Sequence, residues 1–89
     1  FEQAMKAADE KGWRLPMDEE YLEKLQSNSA DFKNVPMTFG GEASGAACLL
    51  NEFVEDGIKW IHLDIAATAK TPDGATGAMI RSIVELLKP

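Results

Sequence analysis

The sequence predicts an α/β fold in which one strand is buried among helices. Residues 60–66, with the sequence WIHLDIA, form a nearly continuous apolar run of β-forming residues without a helical stripe. Such runs are typical of strands in parallel or mixed sheets that helices cover. Helical periodicity precedes and follows this run in the 89-residue chain. Because one strand cannot close a sheet, we expect its neighbours to come from sequence outside these residues.

Two helices are predicted within the first 25 residues. In the first, apolar residues recur at helical spacing, at Phe1, Ala4, Met5 and Ala8. Lys11 and Gly12 then supply the cation and the glycine that favour a helix end. The second helix begins at Asp18 with three consecutive acidic residues, which the helix dipole favours at an N-terminus, and it ends near Lys24. Its narrow apolar stripe predicts a surface position.

Two more helices are predicted, one on each side of the strand. The third helix starts at Glu42, after a polar loop, and ends at Asp56 and Gly57. Small residues in its first turns permit close packing against another backbone. Residues 71–74, TPDG, then have the composition of a turn. Apolar residues at helical spacing mark the last helix, at Ile80, Ile83, Val84 and Leu87.

Composition excludes several classes of function. Nine basic residues against fifteen acidic residues leave a net charge of −6, which repels nucleic acid and anionic lipid. No apolar run approaches the ~20 residues of a membrane span, and the N-terminus lacks a signal-peptide pattern. We therefore expect a soluble, cytoplasmic protein. Cys48 is the only cysteine, so a disulfide framework is excluded and a small core residue is predicted.

Two local patterns could carry chemistry, and each has a structural alternative. His62 and Asp64 lie two apart on one face of the predicted strand, where both could reach a metal ion if other ligands were supplied. Alternatively, they satisfy buried backbone groups or each other. Residues 74–77, GATG, precede the last helix and could hold an anion on backbone N–H groups. Alternatively, Thr76 caps the helix and the glycines permit a tight turn.

Five ordered segments of the chain resemble one family, the leucyl or cytosol aminopeptidases. The segments are WRLP at residues 13–16, SNSADFKN at 27–34, NEFV at 51–54, WIHLDIAATA at 60–69 and GATG at 74–77. The resemblance covers essentially the whole chain, and its most specific element is the WxHLDIA segment. It implies that residues 1–89 are the C-terminal segment of one catalytic domain, a three-layer α/β/α domain with a mixed central sheet.

The resemblance also implies an activity. Family members are homohexameric hydrolases that use two zinc or manganese ions to release N-terminal residues, often leucine, from peptides. Paired divalent ions polarise the scissile carbonyl and lower the pKa of a bound water. The family's metal-binding motif and catalytic lysine are expected upstream, and this segment is expected to contain no metal ligand or catalytic residue. The alternative is a catalytically inactive relative that serves as a structural or interaction subunit.

The same resemblance assigns substrate-binding positions. Ala66 and Ala69 correspond to the wall of the pocket for the substrate's first side chain, where small residues leave room for leucine or methionine. Val35 and Pro36 correspond to the loop that borders the next subsite. Ala67 stands where a common form of the family has glycine, so the pocket shape is expected to differ from that form.

Overall fold

The computed structural model describes residues 1–34 and 40–89 as helices with a two-stranded antiparallel sheet. This mixture is compatible with a fragment of an α/β fold. The elements in chain order are α1 (Glu2–Ala7), α2 (Glu19–Glu23), α3 (Glu42–Asn51), β1 (Lys70–Thr71), β2 (Gly74–Ala75) and α4 (Ile80–Leu87). The described helices are too short and too polar to cross a lipid bilayer.

The chain divides into two compact units, named here for their place in the sequence. The terminal unit comprises Phe1–Arg14 and Leu63–Pro89, and the central unit comprises Leu15–His62. In the terminal unit α1 packs against α4, and β1 pairs with β2. In the central unit α2 packs against α3. Each unit therefore contains one pair of packed helices.

The core of the central unit is small and mostly apolar, with Ser44 of α3 as a buried polar residue. Leu25, just after α2, is almost fully buried, and Ala47 and Cys48 of α3 are buried as well. The prediction that Cys48 is a core residue is confirmed. Burial raises the pKa of the Cys48 thiol, and the negative charges of Asp18 and Glu52 act in the same direction. A thiol that stays protonated is a poor nucleophile and a poor metal ligand.

The observed helices agree with the sequence at some ends and differ at others. Helix α4 begins at Ile80, and α3 begins at Glu42, both as the spacing of apolar residues predicts. Helix α3 ends at Asn51, before the predicted Asp56, and its continuation is made of turns. Helix α1 ends at Ala7 instead of Gly12, because Asp9 adopts a left-handed conformation with φ of 52°.

The buried strand predicted at residues 60–66 is wrong for this structure. No described residue pairs with this stretch in a β-ladder, and Trp60 and Ile61 are 37% and 50% exposed. Strand propensity is expressed only where a neighbouring strand satisfies the backbone N–H and C=O groups. With no such neighbour among the described residues, the stretch forms no β-ladder. The sheet that does form lies further along, at residues 70–75.

Candidate functional site

A short hairpin follows the apolar run and confirms the turn predicted at residues 71–74. Strands β1 and β2 pair antiparallel, with Lys70 opposite Ala75 and Thr71 opposite Gly74. Gly74 has a φ of 124°, a value that side chains with a Cβ rarely adopt, so glycine is required there. Across the turn, the Asp73 N–H donates to Thr71 Oγ1 at 3.3 Å. The hairpin thereby sets which residues on its two sides face each other.

The residues assigned to the pocket wall lie in a tight turn before this hairpin. Ala66 is exposed and Ala69 is half-buried. The Ala66 N–H donates to Asp64 Oδ1 at 3.2 Å. Both the N–H and the hydroxyl of Thr68 donate to the carbonyl of Ile65, at 2.9 and 3.2 Å. These bonds all join residues two or three apart, so they define the local turn but do not connect it to another part of the structure.

Thr76 joins this turn to the hairpin. Its hydroxyl donates to the Thr68 carbonyl at 2.5 Å, and its N–H donates to the Ala69 carbonyl at 3.0 Å. The hydroxyl also accepts a bond from the Ala78 N–H at 3.2 Å. One residue thus holds two successive carbonyls of the turn that carries Ala66 and Ala69. The alternative in which Thr76 caps the helix is wrong, because the N-cap residue of α4 is Met79 and the Thr76 hydroxyl binds the Thr68 carbonyl and the Ala78 N–H.

An anion does lie at the N-terminus of α4, and it is a side chain of this chain. Glu10 accepts hydrogen bonds from the Met79 N–H at 2.8 Å and from the Ser82 N–H at 2.8 Å. The Ser82 hydroxyl donates to the same carboxylate at 2.9 Å. Backbone N–H groups of the segment after GATG therefore bind a carboxylate, as an anion site would, but the carboxylate belongs to residue 10.

These contacts change the acidity of Glu10. Partial burial alone would raise the pKa of this carboxyl, but hydrogen bonds from Ser82 and Met79 oppose it, and the charge of Arg81 adds to them. The net result is a pKa below its ordinary value of 4.5. Glu10 is therefore ionised at neutral pH, and the bonds to α4 are charge-assisted.

The His62 and Asp64 pair does not form the arrangement that a strand would give. The Asp64 carboxylate binds the nearby Ala66 N–H, and Asp64 is exposed. His62 is half-buried, and its ring lies 6.2 Å from that of Trp60, measured between centroids. Within residues 1–34 and 40–89, no group of three or more His, Cys, Asp or Glu side chains could hold a metal ion. These residues do not supply a metal centre by themselves.

The remaining assigned residues, Val35 and Pro36, lie outside the residues that the structure describes. A shallow depression of about 360 Å³ occurs in the central unit, at the end of α3. Its lining residues are Asn51, Glu52, Val54, Glu55, Asp56, Gly57 and Ile58. Its carboxylates are part of the exposed acidic surface, and it contains none of the residues assigned to substrate binding.

Comparison with known proteins identifies the family. Residues 1–84 match the model of the catalytic domain of the cytosol aminopeptidase family. The chain belongs to this family. No solved structure matches the chain.

Curated relatives of the family agree with this assignment. A probable cytosol aminopeptidase of Acidobacterium capsulatum is 48% identical over 99% of this chain and 18% of the relative. A probable cytosol aminopeptidase of Koribacter versatilis is 43% identical over 99% of this chain and 18% of the relative. A probable cytosol aminopeptidase of Mycoplasma pneumoniae is 44% identical over 96% of this chain and 19% of the relative. The chain therefore spans about a fifth of the length of the curated relatives that it matches.

The contacts of two residues, Thr76 and Glu10, were not predicted from the sequence of this family member. For Thr76 a signal existed, because a two-residue turn at Pro72 and Asp73 places Thr76 opposite Ala69, one step beyond the Lys70 and Ala75 pair. For Glu10 there was none. Its partners lie 69 and 72 residues away, and no local pattern relates positions so far apart.

Proposed function

We propose that residues 1–89 are the C-terminal segment of the catalytic domain of an aminopeptidase that releases leucine-like N-terminal residues from peptides. The family match over residues 1–84 carries this proposal. The chain spans about a fifth of its curated relatives, so the activity belongs to the whole protein. In that protein the segment contributes scaffold to a three-layer α/β/α domain with a mixed central sheet.

The proposed activity depends on two divalent ions, zinc or manganese, held outside this segment. We assign the ligands of these ions to other parts of the protein, as the family resemblance implies. When bound, such ions polarise the scissile carbonyl and activate water. The segment alone is expected to be inactive, because we assign the ligands of these ions to sequence outside it.

The segment's own contribution to substrate binding is the pocket wall formed by residues 66–69. We assign Ala66 and Ala69 to this wall, and Val35 and Pro36 to the border of the next subsite. Alanine side chains leave volume for a leucine or methionine side chain, which a larger residue would fill. The exposure of Ala66 supports the assignment, since a wall residue must be accessible to substrate.

The proposal extends to the assembly and place of action. We assign the whole protein to a homohexamer in the cytoplasm, with peptides as substrates and with neither nucleic acid nor membrane as a partner. The acidic composition, with a net charge of −6, supports the exclusion of polyanionic partners.

Hydrolysis of a leucine-linked chromogenic amide by the whole protein tests this function. We expect activity that appears with Mn²⁺ or Zn²⁺ and disappears on chelation, whereas residues 1–89 alone are silent. The control is the same amide with a blocked α-amine, which an exopeptidase does not cleave. Silence of the whole protein with every metal would contradict the enzyme proposal and favour the inactive structural subunit.

A further inference from the structure

We propose that Thr76 is a positioning residue that fixes the pocket wall and thereby controls which N-terminal side chains are accepted. The inference deepens the proposed function and rests on it, because residues 66–69 matter for specificity only if they line the substrate pocket. Thr76 is not a catalytic residue in this proposal. It acts through the backbone of the wall.

The first argument is the pattern of hydrogen bonds. Thr76 donates to two successive carbonyls, from its hydroxyl to Thr68 at 2.5 Å and from its N–H to Ala69 at 3.0 Å. The two carbonyls belong to the planar peptide groups on either side of the Ala69 Cα, so the pair of bonds restrains the two backbone dihedrals of Ala69, where one bond would restrain only one peptide group. The position of Ala69 therefore depends directly on Thr76.

The second argument is that the hydroxyl is oriented for this task. The Ala78 N–H donates to Thr76 Oγ1 at 3.2 Å, which uses the oxygen as an acceptor. A hydroxyl has one proton to give, and here it is directed to the Thr68 carbonyl. The β-branched side chain also restricts rotation about χ1, so the donor is held in place.

The third argument is that the wall has little other support. Its remaining hydrogen bonds, from Ala66 to Asp64 and from Thr68 to Ile65, join residues two or three apart. The hairpin beside it has only two residue pairs, and a two-stranded hairpin alone is marginally stable. Loss of the Thr76 hydroxyl therefore frees the wall to move while its local turn remains.

Specificity is sensitive to such movement. A change equivalent to one methylene in an apolar pocket alters discrimination between substrates by about 10- to 200-fold. A wall that becomes mobile accepts bulkier side chains with less penalty. We therefore expect a smaller effect of the same kind, in the direction of weaker discrimination against large residues.

The experiment compares kcat/KM for leucine and phenylalanine amides in the metal-loaded whole protein. Thr76→Val keeps the shape and removes the hydroxyl, both as donor to Thr68 and as acceptor from Ala78. We expect the leucine preference to fall roughly 3- to 10-fold, mainly through KM. Thr76→Ser keeps the donor, and we expect it to stay within about twofold of the wild type. The matched control is Thr71→Val, which removes a hydroxyl from the same hairpin without a contact to residues 66–69, and its preference should be unchanged.

Each outcome decides the matter. An active wild type with the same preference in Thr76→Val overturns the positioning role and leaves the proposed function intact. An equal loss of kcat for both amides, or a shift in Thr76→Ser as large as in Thr76→Val, also overturns it. A wild type inactive with every metal overturns both proposals. If Thr76→Val does not fold, Thr76→Ala removes the same donor without the bulk, and the same criteria apply.

Discussion

The two units join their helices by different physical means. In the terminal unit, α1 and α4 are connected through the charged carboxylate of Glu10, and the most buried residue is the polar Ser82. In the central unit, α2 packs against α3, and the buried residues are mostly apolar, namely Leu25, Ala47 and Cys48, with Ser44 as a polar exception. The terminal junction therefore depends on ionisation and hydrogen-bond geometry. The central junction depends on volume and shape, because dispersion and burial have no directional requirement.

The largest expected effect is the loss of the apolar junction. Leu25→Ala should destabilise the central unit by about 2–4 kcal/mol, because it leaves a cavity at a position that is 1% exposed. The measurement is amide hydrogen exchange in the whole protein, followed at Lys33, whose N–H donates to the Leu25 carbonyl at 2.7 Å. Leu50→Ala is the control, since Leu50 is 47% exposed and its truncation should cost far less. Equal effects of the two changes would contradict an apolar core at Leu25.

A smaller effect is expected at the close approach beside α3. Gly41 has a φ of 68°, and a Cβ there would lie 2.7 Å from Cδ1 of Tyr21. Gly41→Ala should therefore destabilise the central unit by roughly 1–3 kcal/mol, through backbone strain and displacement of the ring.

Gly45→Ala is the matched control, measured by thermal unfolding with the Gly41 variant. Gly45 lies within α3, and an added Cβ would meet no described atom within 4 Å. We expect this change to stabilise by about 0.5–1 kcal/mol, since alanine is the better helix former. Destabilisation by Gly45→Ala as large as that by Gly41→Ala would contradict the open space at Gly45.

The smallest effect should be the acid sensitivity of the terminal unit. The pKa of Glu10 is lowered in the folded state, so its stabilisation is fully present above the ordinary value of 4.5. The stabilisation is lost as the pH falls through the lower folded value. Exchange protection of the Met79 and Ser82 amides should therefore decline below about pH 4.5.

The Glu10→Gln variant is the comparison for this acid titration. It should show weaker protection of the α4 N-terminus at neutral pH and little change on acidification, because glutamine does not ionise. Glu2→Gln, at an exposed carboxylate in α1, should behave like the wild type. An unchanged acid profile in Glu10→Gln would remove Glu10 as the source of the sensitivity.

Elements with local sequence signals could be predicted, and elements that need a distant partner could not. Helix α4 follows from its apolar spacing, and the turn at residues 71–74 follows from its proline and glycine. The stretch at residues 60–66 has the composition of a strand, yet strand formation depends on a neighbour that no described residue provides. The composition of residues 60–66 therefore indicates strand propensity, but it does not determine the conformation of this stretch.

The candidate site shows the same division. The fixed register of the hairpin was enough to bring Thr76 opposite Ala69. An anion at the start of α4 was one of two alternatives for the GATG segment, since glycines and the helix dipole give a signal for negative charge but none for its source. Glu10 supplies that charge from the opposite end of the sequence.

This distance in sequence has a consequence during synthesis. Glu10 leaves the ribosome 72 residues before Ser82, which corresponds to roughly 4–14 seconds at ordinary rates of translation. All residues of the central unit, Leu15–His62, are made within that interval. Helices α2 and α3 of the central unit can therefore pack together before α4, the helix that Glu10 binds, has been synthesised. The order of assembly in this chain is set by which partner is translated last.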